Sequence, residues 1–469
     1  MSDTFLQKTL LHVDVSTESS KLIELITSAT STIENAYASD NQALPTLAIG
    51  GRAEGGVEAA ASDRGQGTLP SAEFVQAVQL LQGATTQLLA QLIPPPLYCA
   101  KLALSSLDSA SIGVVAKHHV ADIIHKHDPD ATKGVPIATI AQEAGIDSRH
   151  LARILRSLAS QHVFLELAPD VFTNTRHAGP LRSNTSTSCV NAYISLIYDV
   201  LPAASKLDEC LSDKEHSSGF SAAHSGAARA LGGVFWDVLA KDPERGRIFN
   251  EAMKESTEHI SIGDSIFEDV PWENDFAVKN PKGVFVDVGA GAGHQALRIA
   301  PKLPGWEFVI EDLPNVLEAS AKELWTTRGS QYNYRLVPQN FFEAQSVKGA
   351  DVYYMKHIIH DWPDKESVQI LKNIRDVADP SRTRLLISDV VIEPALPPTP
   401  SSAPLLASLG GGTSMAHSYD MAMMALLEAQ ERTKAEFEEN VLAPAGWKLV
   451  KIHKIRSYYR LSVLECVPI

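Results

Sequence analysis

Two apolar periodicities divide the chain, one typical of helices before residue 283 and one typical of strands after it. Apolar side chains recur at helical spacing over residues 20–40, and residues 72–211 continue in a mostly helical pattern. Residues 42–71 are rich in Gly, Ala and Ser with little periodicity, so we expect a linker there. From Val284 onward, short apolar runs alternate with helical stretches, which predicts a parallel sheet covered on both faces.

Each predicted strand of this sheet is a short apolar run. The runs are Val284–Val288, 307–311, 351–355, 384–390, 448–453 and 459–466. Residues 264–282 contain proline and charged residues and predict a connector. Residues 395–418 are rich in Pro, Ser and Gly, and they predict a long surface loop that is either disordered or a lid.

The segment "VPIATIAQEAGIDSRHLARILRSLASQHVFLELAPDVF" (135–172) has a pattern of its own. Two helical stripes meet at Gly145, and two apolar runs follow with a turn at Pro169-Asp170, which is typical of a winged helix-turn-helix. Such a unit either binds DNA or serves as a helical scaffold. Residues 147–182 carry five Arg against three acids, yet the whole chain has a net charge of −15. That charge disfavours a nucleic-acid partner, so we expect the scaffold.

Length and composition narrow the class of protein further. A chain of 469 residues predicts two or three domains, and 44% hydrophobic with 21% charged residues is typical of a soluble globular protein. Its continuous apolar runs are shorter than the roughly 18 residues that span a bilayer, and the N-terminus lacks a signal-peptide pattern. We therefore expect a cytoplasmic protein without a membrane partner. Four scattered cysteines fit neither a zinc motif nor a disulfide scaffold, so we expect them reduced and mostly buried.

The stretch "VFVDVGAGAGHQA" (284–296) is the first candidate for chemistry. Gly289, Gly291 and Gly293 follow a predicted strand and allow backbone to approach a ligand closely. A dinucleotide fingerprint would place a glycine where His294 stands. Asp287 lies within the strand, where a carboxylate suits a cationic amine better than a pyrophosphate. A tight packing turn is the alternative interpretation of the glycines.

A second carboxylate, Asp312, ends the next predicted strand in "VIEDLP". At that place it accepts two ribose hydroxyls, or else it caps a helix. A nucleoside with an amino-acid tail and no phosphate fits both Asp287 and Asp312. S-adenosylmethionine is such a ligand.

The segment "ADVYYMKHIIHDWPD" (350–364), together with "DVGAGAG", "EDLP" and "QERTKAEFEE", resembles a known family. These are the S-adenosylmethionine-dependent O-methyltransferases of the caffeic-acid type, class I and cation-independent. Fungal enzymes that methylate polyketides and other phenols are the nearest in kind. The resemblance runs from about Ala72 to the C-terminus. It implies an α/β protein, in which a Rossmann-like methyltransferase domain with a seven-stranded, mostly parallel sheet follows an α-helical, winged-helix-like dimerisation domain.

The predicted domains follow from this resemblance and from the composition. They are an N-terminal helix with linker (1–71), the dimerisation domain (72–211), a helical connector that contributes to the substrate pocket (212–282), and the methyltransferase domain (283–469).

The resemblance also assigns catalytic roles. It makes His360 the general base and places Asp389 and Glu431 beside it to orient its ring. A phenol titrates near 10, so an imidazole that takes its proton creates the nucleophile. Asp389 is one methylene shorter than the Glu usual in the family, which predicts a looser or water-bridged contact. His357 and His360 have a spacing that could bind a metal, but no third ligand stands out and the family needs no metal.

Further positions correspond to ligand contacts in the family. Those expected at the cofactor are Asp287, Gly289, Ala290, Gly291, Gly293, Asp312, Leu313, Asn340, Phe341, Lys356 and Trp362. Asn340 replaces an Asp that contacts the adenine amine, and its amide oxygen can still accept that hydrogen bond. Those expected at the acceptor are Phe249, Met253, Asp361 and Met423. Met and Phe at helical spacing are equally consistent with core packing.

The sequence therefore predicts a homodimeric S-adenosylmethionine-dependent O-methyltransferase that acts on a phenolic hydroxyl of a small aromatic or polyketide-type secondary metabolite, with in-line methyl transfer. One alternative is a noncatalytic winged-helix regulator that senses a nucleoside ligand. Another is an N- or C-methyltransferase on the same scaffold. The set of His360, Asp389 and Glu431 favours an enzyme, because a sensor has no use for a base with two orienting acids.

Overall fold

The computed structural model describes residues 18–42, 44–47, 70–183, 185–214, 221–256, 265–277, 280–399 and 402–469. They form two compact units, each assembled from separate stretches of the chain. Unit one draws on residues 1–202, 236–263 and 395–414, and unit two on 203–235, 264–394 and 415–469. Most of the predicted linker at 42–71 lies outside the described residues, as do parts of the predicted connector and of the predicted loop.

The α-helices occur in both units and are numbered in chain order. They are α1 (Glu18–Ser39), α2 (Ala72–Leu92), α3 (Pro95–Lys117), α4 (Val120–His127), α5 (Ile137–Ala144), α6 (Ser148–Ser160), α7 (Val190–Ser195), α8 (Leu201–Ala204), α9 (Leu207–Leu211), α10 (Gly226–Leu231), α11 (Phe235–Lys241), α12 (Pro243–Glu255), α13 (Ile266–Asp269), α14 (His294–Ile299), α15 (Pro314–Val316), α16 (Lys322–Thr327), α17 (Asp364–Arg375), α18 (Ser414–Leu427) and α19 (Lys434–Glu436). Shorter 3-10 and π turns include Trp272–Ala277, Ile359–Asp361 and Gly410–Thr413.

The β-strands are numbered in the same way. They are β1 (Val135–Pro136), β2 (Phe164–Ala168), β3 (Val171–Asn174), β4 (Val284–Val288), β5 (Glu307–Asp312), β6 (Asn333–Pro338), β7 (Val352–Lys356), β8 (Arg384–Ile392), β9 (Arg432–Thr433), β10 (Trp447–Lys454) and β11 (Leu461–Pro468).

Unit one contains the predicted winged helix. Helices α5 and α6 meet at Gly145, which has a φ of +69° in the left-handed region that a glycine adopts without strain. Strands β1, β3 and β2 form an antiparallel sheet with a turn at Pro169-Asp170. Helix α6 buries one stripe, and its Leu155 packs with Phe164 and Phe172 in a closed core. The helix-turn-helix and wing predicted from the sequence are therefore confirmed as a fold.

The described residues of the predicted 395–418 loop belong to unit one as far as Ser414, and this part packs on α2. Leu405 is 1% exposed, and a Cβ at Gly83 would lie 2.5 Å from the carbonyl oxygen of Leu409. This part is therefore packed rather than disordered. The predicted end of the loop was wrong: α18 begins at Ser414, because 414–418 hold neither Gly nor Pro and bury Ala416 in a core.

Unit two is built on a sheet with the strand order β10-β11-β8-β7-β4-β5-β6, and β9 pairs with the end of β8. The pairs between β8 and β6 are parallel, whereas β11 lies antiparallel to both of its neighbours. One face buries Phe285 and Phe308, and the other buries Val286, Val309 and Tyr353. The predicted mostly parallel sheet, buried on both faces, is confirmed.

Two expectations from the sequence concerned the state of the cysteines and the absence of a membrane-spanning segment. All four cysteines are free, and Cys99 alone among them is exposed. Within the described residues, α3 is long and apolar enough to cross a membrane by length and composition, although continuous apolar runs alone had not indicated such a segment.

Candidate active site

The glycines of the loop after β4 have different surroundings, since one is enclosed by other side chains and another is open. Gly289, Gly291 and Gly293 all have positive φ, at 67°, 58° and 78°. A Cβ at Gly293 would lie 2.5 Å from Nε1 of Trp325, whose N–H donates to the carbonyl of Ala292 at 3.1 Å. A Cβ at Gly291 would have no atom within 4 Å. Gly293 therefore serves the fold, while Gly291 leaves room beside exposed backbone.

Asp287 lies in β4 just before this loop. Its side chain is buried, and its Oδ2 has no hydrogen-bond partner among the described residues. Burial, with smaller contributions from Asp312 and Glu311, raises the pKa of Asp287 to about 7 against the backbone N–H of Ala296 and the charge of Lys356, which lower it. A carboxylate in such a place favours a cation that would restore its charged form.

Asp312 closes the glycine loop from the end of β5. Its Oδ2 accepts the N–H of Gly291 at 2.7 Å, and its Oδ1 accepts the N–H of Leu313 at 2.7 Å. The backbone N–H of Ala290 donates to the carbonyl of Glu311 at 2.9 Å, so the loop is held to β5 twice. Burial raises the pKa of Asp312. Each carboxylate oxygen keeps a free lone pair, which suits two hydroxyl donors.

An aromatic wall stands next to the loop. Phe341 Cε1 lies 3.5 Å from the Cβ position of Gly289, and its ring contacts that of Trp362 at a centroid distance of 6.0 Å. Asn340, the predicted adenine contact, accepts the N–H of Phe342 through its Oδ1 at 3.1 Å. Lys356 is the last residue of β7. The structure thus brings the predicted cofactor residues to the carboxyl ends of β4, β5, β6 and β7, where open parallel sheets bind ligands.

The predicted base lies in the short turn Ile359–Asp361 after β7. The Nδ1–H of His360 donates to Oε1 of Glu431 at 2.7 Å, and its Nε2 lies 3.5 Å from Oδ1 of Asp361. The His360 and Glu431 side chains are 11% and 1% exposed. Burial alone lowers the pKa of His360, but the carboxylates of Glu431 and Asp361 outweigh it and raise that pKa to about 10. This histidine is therefore a strong base with one nitrogen already oriented.

Asp389, the other predicted orienting acid, is fully buried within β8. Neither of its oxygens has a hydrogen-bond partner among the described residues, so it acts on His360 by charge alone. Burial raises the pKa of Asp389 to about 7, with His360 opposing the shift. His357 stacks on His360 at a centroid distance of 4.9 Å, and burial lowers the pKa of His357 well below its usual value.

The predicted acceptor residues fall in different units. Phe249 and Met253 lie on α12 in unit one, where Phe249 packs edge-on against Trp236 at 5.7 Å and Met253 is exposed. Met423 lies half-buried on α18 in unit two, and Asp361 stands beside the base. Their contacts with an acceptor stay predictions.

Two residues that sequence reasoning missed form hydrogen bonds to the backbone around Glu431 and His360. Asp420 on α18 accepts the backbone N–H of Glu431 at 2.9 Å. Arg432 is fully buried, and its guanidinium donates to carbonyls on either side of His360. A signal for Arg432 was present in its place directly after Glu431 in "QERT". Among the described residues, no group of three metal-ligating side chains lies close enough together to hold a metal ion.

Comparisons with known proteins identify a matching family and several relatives of this chain. A family model described as an O-methyltransferase domain matches residues 207–448, more than half of the chain. The chain is 27% identical to O-methyltransferase gedA of Aspergillus terreus over 95% of each protein. It is 29% identical to 4-O-methyltransferase 1 of Phanerochaete chrysosporium over 96% of this chain and 98% of the relative.

A solved structure agrees with the fold. LaPhzM is 28% identical, with a TM-score of 0.64 over 80% of this chain and 100% of that protein.

Proposed function

This chain belongs to the O-methyltransferase family and is an S-adenosylmethionine-dependent O-methyltransferase, and we propose that it methylates a phenolic hydroxyl of a small aromatic or polyketide-type secondary metabolite, with His360 as general base. One observation carries the proposal. Glu431 holds Nδ1 of a buried imidazole at 2.7 Å, which leaves Nε2 as the nitrogen free to take a proton.

The base strength of His360 suits a phenol. A free phenol titrates near 10, and the carboxylates around His360 raise its pKa to about 10, so proton transfer between the two is nearly balanced. A neutral imidazole with a phenol carries the same total charge as an imidazolium with a phenolate. The reactive oxygen anion therefore arises from a phenol that meets neutral His360 or from a phenolate that meets the imidazolium, whereas a phenol that meets the imidazolium keeps its proton.

The residues around the glycine loop fit S-adenosylmethionine, which when bound supplies an electrophilic methyl group for in-line transfer. We assign the cationic amino group to Asp287, whose buried Oδ2 has no partner among the described residues. We assign the ribose hydroxyls to Asp312 and the adenine to Asn340 and Phe341. The open position at Gly291 admits the ligand against backbone.

The relatives support oxygen as the methylated atom. Proteins named O-methyltransferase gedA and 4-O-methyltransferase 1 align along nearly the whole of this chain. The alternative within the same class, an N- or C-methyltransferase, has less support because the names of both relatives specify oxygen. We also propose that the enzyme works in the cytoplasm.

We further propose that the enzyme is a homodimer. Helix α3 is mostly exposed although it carries several large apolar side chains. These are Leu97, Leu102, Leu104 and Leu107, each about 60% exposed. An apolar face of this kind is typical of an interface. Light scattering on the purified chain should give about twice 50.8 kDa, and a monomeric mass at micromolar concentration contradicts the dimer.

The direct test is His360→Gln in an assay of labelled S-adenosylmethionine with a panel of phenols and mass spectrometry of the products. We expect a loss of about 10³-fold or more in kcat, because general bases contribute about 10²–10⁴-fold. S-adenosylmethionine should bind with nearly the parent affinity in calorimetry. Full turnover by the variant would contradict the role of His360 as base. Products methylated on nitrogen or carbon would contradict the proposed phenolic oxygen as the acceptor atom.

His453→Gln is the matched control. His453 is also buried and also pairs with a carboxylate, since its Nε2 lies 2.9 Å from Oε2 of Glu465. This pair links β10 and β11 and does not touch the His360 turn. The control should keep turnover.

A further inference from the structure

We propose that Arg432 is a positioning residue for the reaction, because its guanidinium fixes the His360 turn and Glu431 relative to each other. The inference rests on the proposed role of His360 as base. His360 and Glu431 stand 71 residues apart in the chain, yet their side chains must meet within hydrogen-bond distance. Arg432 directly follows Glu431, and its side chain reaches back to the backbone around His360.

The first step is the contact with the turn. Nη1–H of Arg432 donates to the carbonyl of Ile359 at 3.0 Å, and Nη2–H donates to the carbonyl of Trp362 at 2.9 Å. These two carbonyls bracket His360 and Asp361. The turn itself has two backbone hydrogen bonds, one of 3.1 Å and one of 3.3 Å, the second slightly longer than usual. A three-residue 3-10 turn has few bonds of its own, so its rigidity depends on the guanidinium together with the buried Ser367 hydroxyl, which lies 3.3 Å and 3.0 Å from the same two carbonyls.

The second step is the anchoring of Arg432. Its Nε–H and Nη2–H donate to Oδ1 of Asp364 at 2.9 Å and 2.7 Å, which balances the buried charge. Its backbone lies in β9, which pairs with the end of β8. Asp420 holds the N–H of Glu431 on one side. On the other side, Thr433 forms a capping box with Glu436 at the start of α19.

The third step is the choice of side chain. A guanidinium has five N–H donors in one plane, and in this site it reaches two carbonyls and a carboxylate at once. A lysine has a single nitrogen as donor and lacks the planar fork. Arg432→Lys therefore keeps the charge but loses part of the hydrogen bonding to the Ile359 and Trp362 carbonyls, and Arg432→Gln loses most of it.

The experiment uses the full chain with isotope-labelled histidine, and it follows the titration of His360 by NMR, with His360→Gln assigning the signal. In Arg432→Gln, the His360 midpoint should fall by about one pH unit or more, because Glu431 no longer stands at a fixed distance. We expect kcat to fall by about 10²-fold, with Arg432→Lys in between. The S-adenosylmethionine Kd should stay within about threefold of the parent value.

Tyr353→Phe controls for lost stability. It removes a buried hydrogen bond in the same unit, from the Tyr353 hydroxyl to the carbonyl of Val347 at 2.7 Å, without touching the turn. Its kcat and His360 midpoint should match the parent. If Arg432→Gln does not fold, Asp364→Asn replaces it, because that change weakens the anchor of the guanidinium and should shift the same midpoint in the same direction.

Two results overturn the inference. One is a His360 midpoint and a kcat at parent values in folded Arg432→Gln, or in Asp364→Asn where that variant replaces it. The other is a loss of cofactor affinity as large as the loss of kcat. The outcomes also separate the two proposals. Full activity in Arg432→Gln beside an inactive His360→Gln removes only the positioning role. Full turnover in His360→Gln removes the base, and the NMR midpoint still reports whether Arg432 fixes the pair.

Discussion

Replacing Glu431 by Gln removes one negative charge and keeps an oxygen within reach of His360 Nδ1. Burial by itself lowers the pKa of His360, and Glu431 is the largest of the charges that reverse this shift and raise it to about 10. Asp361 and Asp389 contribute in the same direction and remain in the variant. The variant histidine should therefore titrate at lower pH than the parent but stay above the value that burial alone would give.

The geometry sets the size of the change. Opposite unit charges about 4 Å apart attract by about 4 kcal/mol at an effective dielectric constant of about 20. A hydrogen bond to a charged group contributes about 1.5–3 kcal/mol, and each pKa unit corresponds to about 1.4 kcal/mol. Both side chains are nearly buried, so salt screens the pair little. We expect the pKa of His360 to fall by about 1–3 units in Glu431→Gln.

The assay is the pH dependence of kcat/KM from about pH 6 to about pH 11 with saturating cofactor. The base acts in its neutral form, so the rate rises with pH through the pKa of His360. In Glu431→Gln the rising limb should move about 1–3 units toward acid, and the plateau should drop because the ring is a weaker and less oriented base.

Two controls assign the limb. The acceptor also titrates near 10, so two phenols of different acidity are compared: a limb that follows the phenol belongs to the acceptor, and a fixed limb belongs to His360. Glu465→Gln removes the same charge from the buried His453 pair and should leave the limb in place. A Glu431→Gln limb that coincides with the parent limb for both phenols refutes the reasoning.

Three further predictions concern the loop, the buried acid and metals. Gly291→Ala should weaken S-adenosylmethionine binding by roughly tenfold or more and lose about 1–2 kcal/mol of stability from its positive φ alone, whereas Gly293→Ala, which has the same strain and also collides with Trp325, should lose about 2–5 kcal/mol; equal effects of both changes on both measurements would contradict this division. Asp389→Asn should be more stable than the parent at pH 8 by on the order of 2–4 kcal/mol and equal to it below about pH 4, as denaturant titrations can show. The reason is that burial raises the pKa of Asp389 to about 7 in the folded protein, so the parent loses stability as pH rises from about 4 to about 7. A variant that is less stable than the parent at pH 8 would contradict this prediction. Chelators should leave turnover unchanged, and a metal requirement would reverse that expectation.

The strands that the sequence predicted in the large sheet include those with neighbours on both sides and the edge strand β10. Strand β4 lies between β5 and β7, and its continuous apolar run matched the observed bounds. Strand β6, at the other edge, was missed because "NYRLVP" alternates exposed and partly buried side chains instead of forming an apolar run. The end of the 395–418 loop was misplaced because small polar residues at the start of α18 have no strong helical pattern.

The site divides in the same way. Glycines with positive φ and the acids at strand ends could be found from local pattern, because both depend on neighbouring residues. The meeting of His360 with Glu431 depends on two distant segments, and the resemblance to a family supplied it. Arg432 was missed as a functional residue, since a buried charge gives no periodic signal. Likewise, nothing in the sequence indicated that Asp389 would lack a hydrogen-bond partner among the described residues.

The interleaving of the two units has an evolutionary consequence. The chain passes from one unit to the other after residues 202, 235, 263, 394 and 414, which makes five crossings. A single recombination breakpoint between residues 202 and 414 would therefore leave segments of both units on each side of the junction. Transplanting either unit whole would need several coordinated breakpoints. We expect diversification in this lineage to proceed by scattered point substitutions rather than by the shuffling of intact modules.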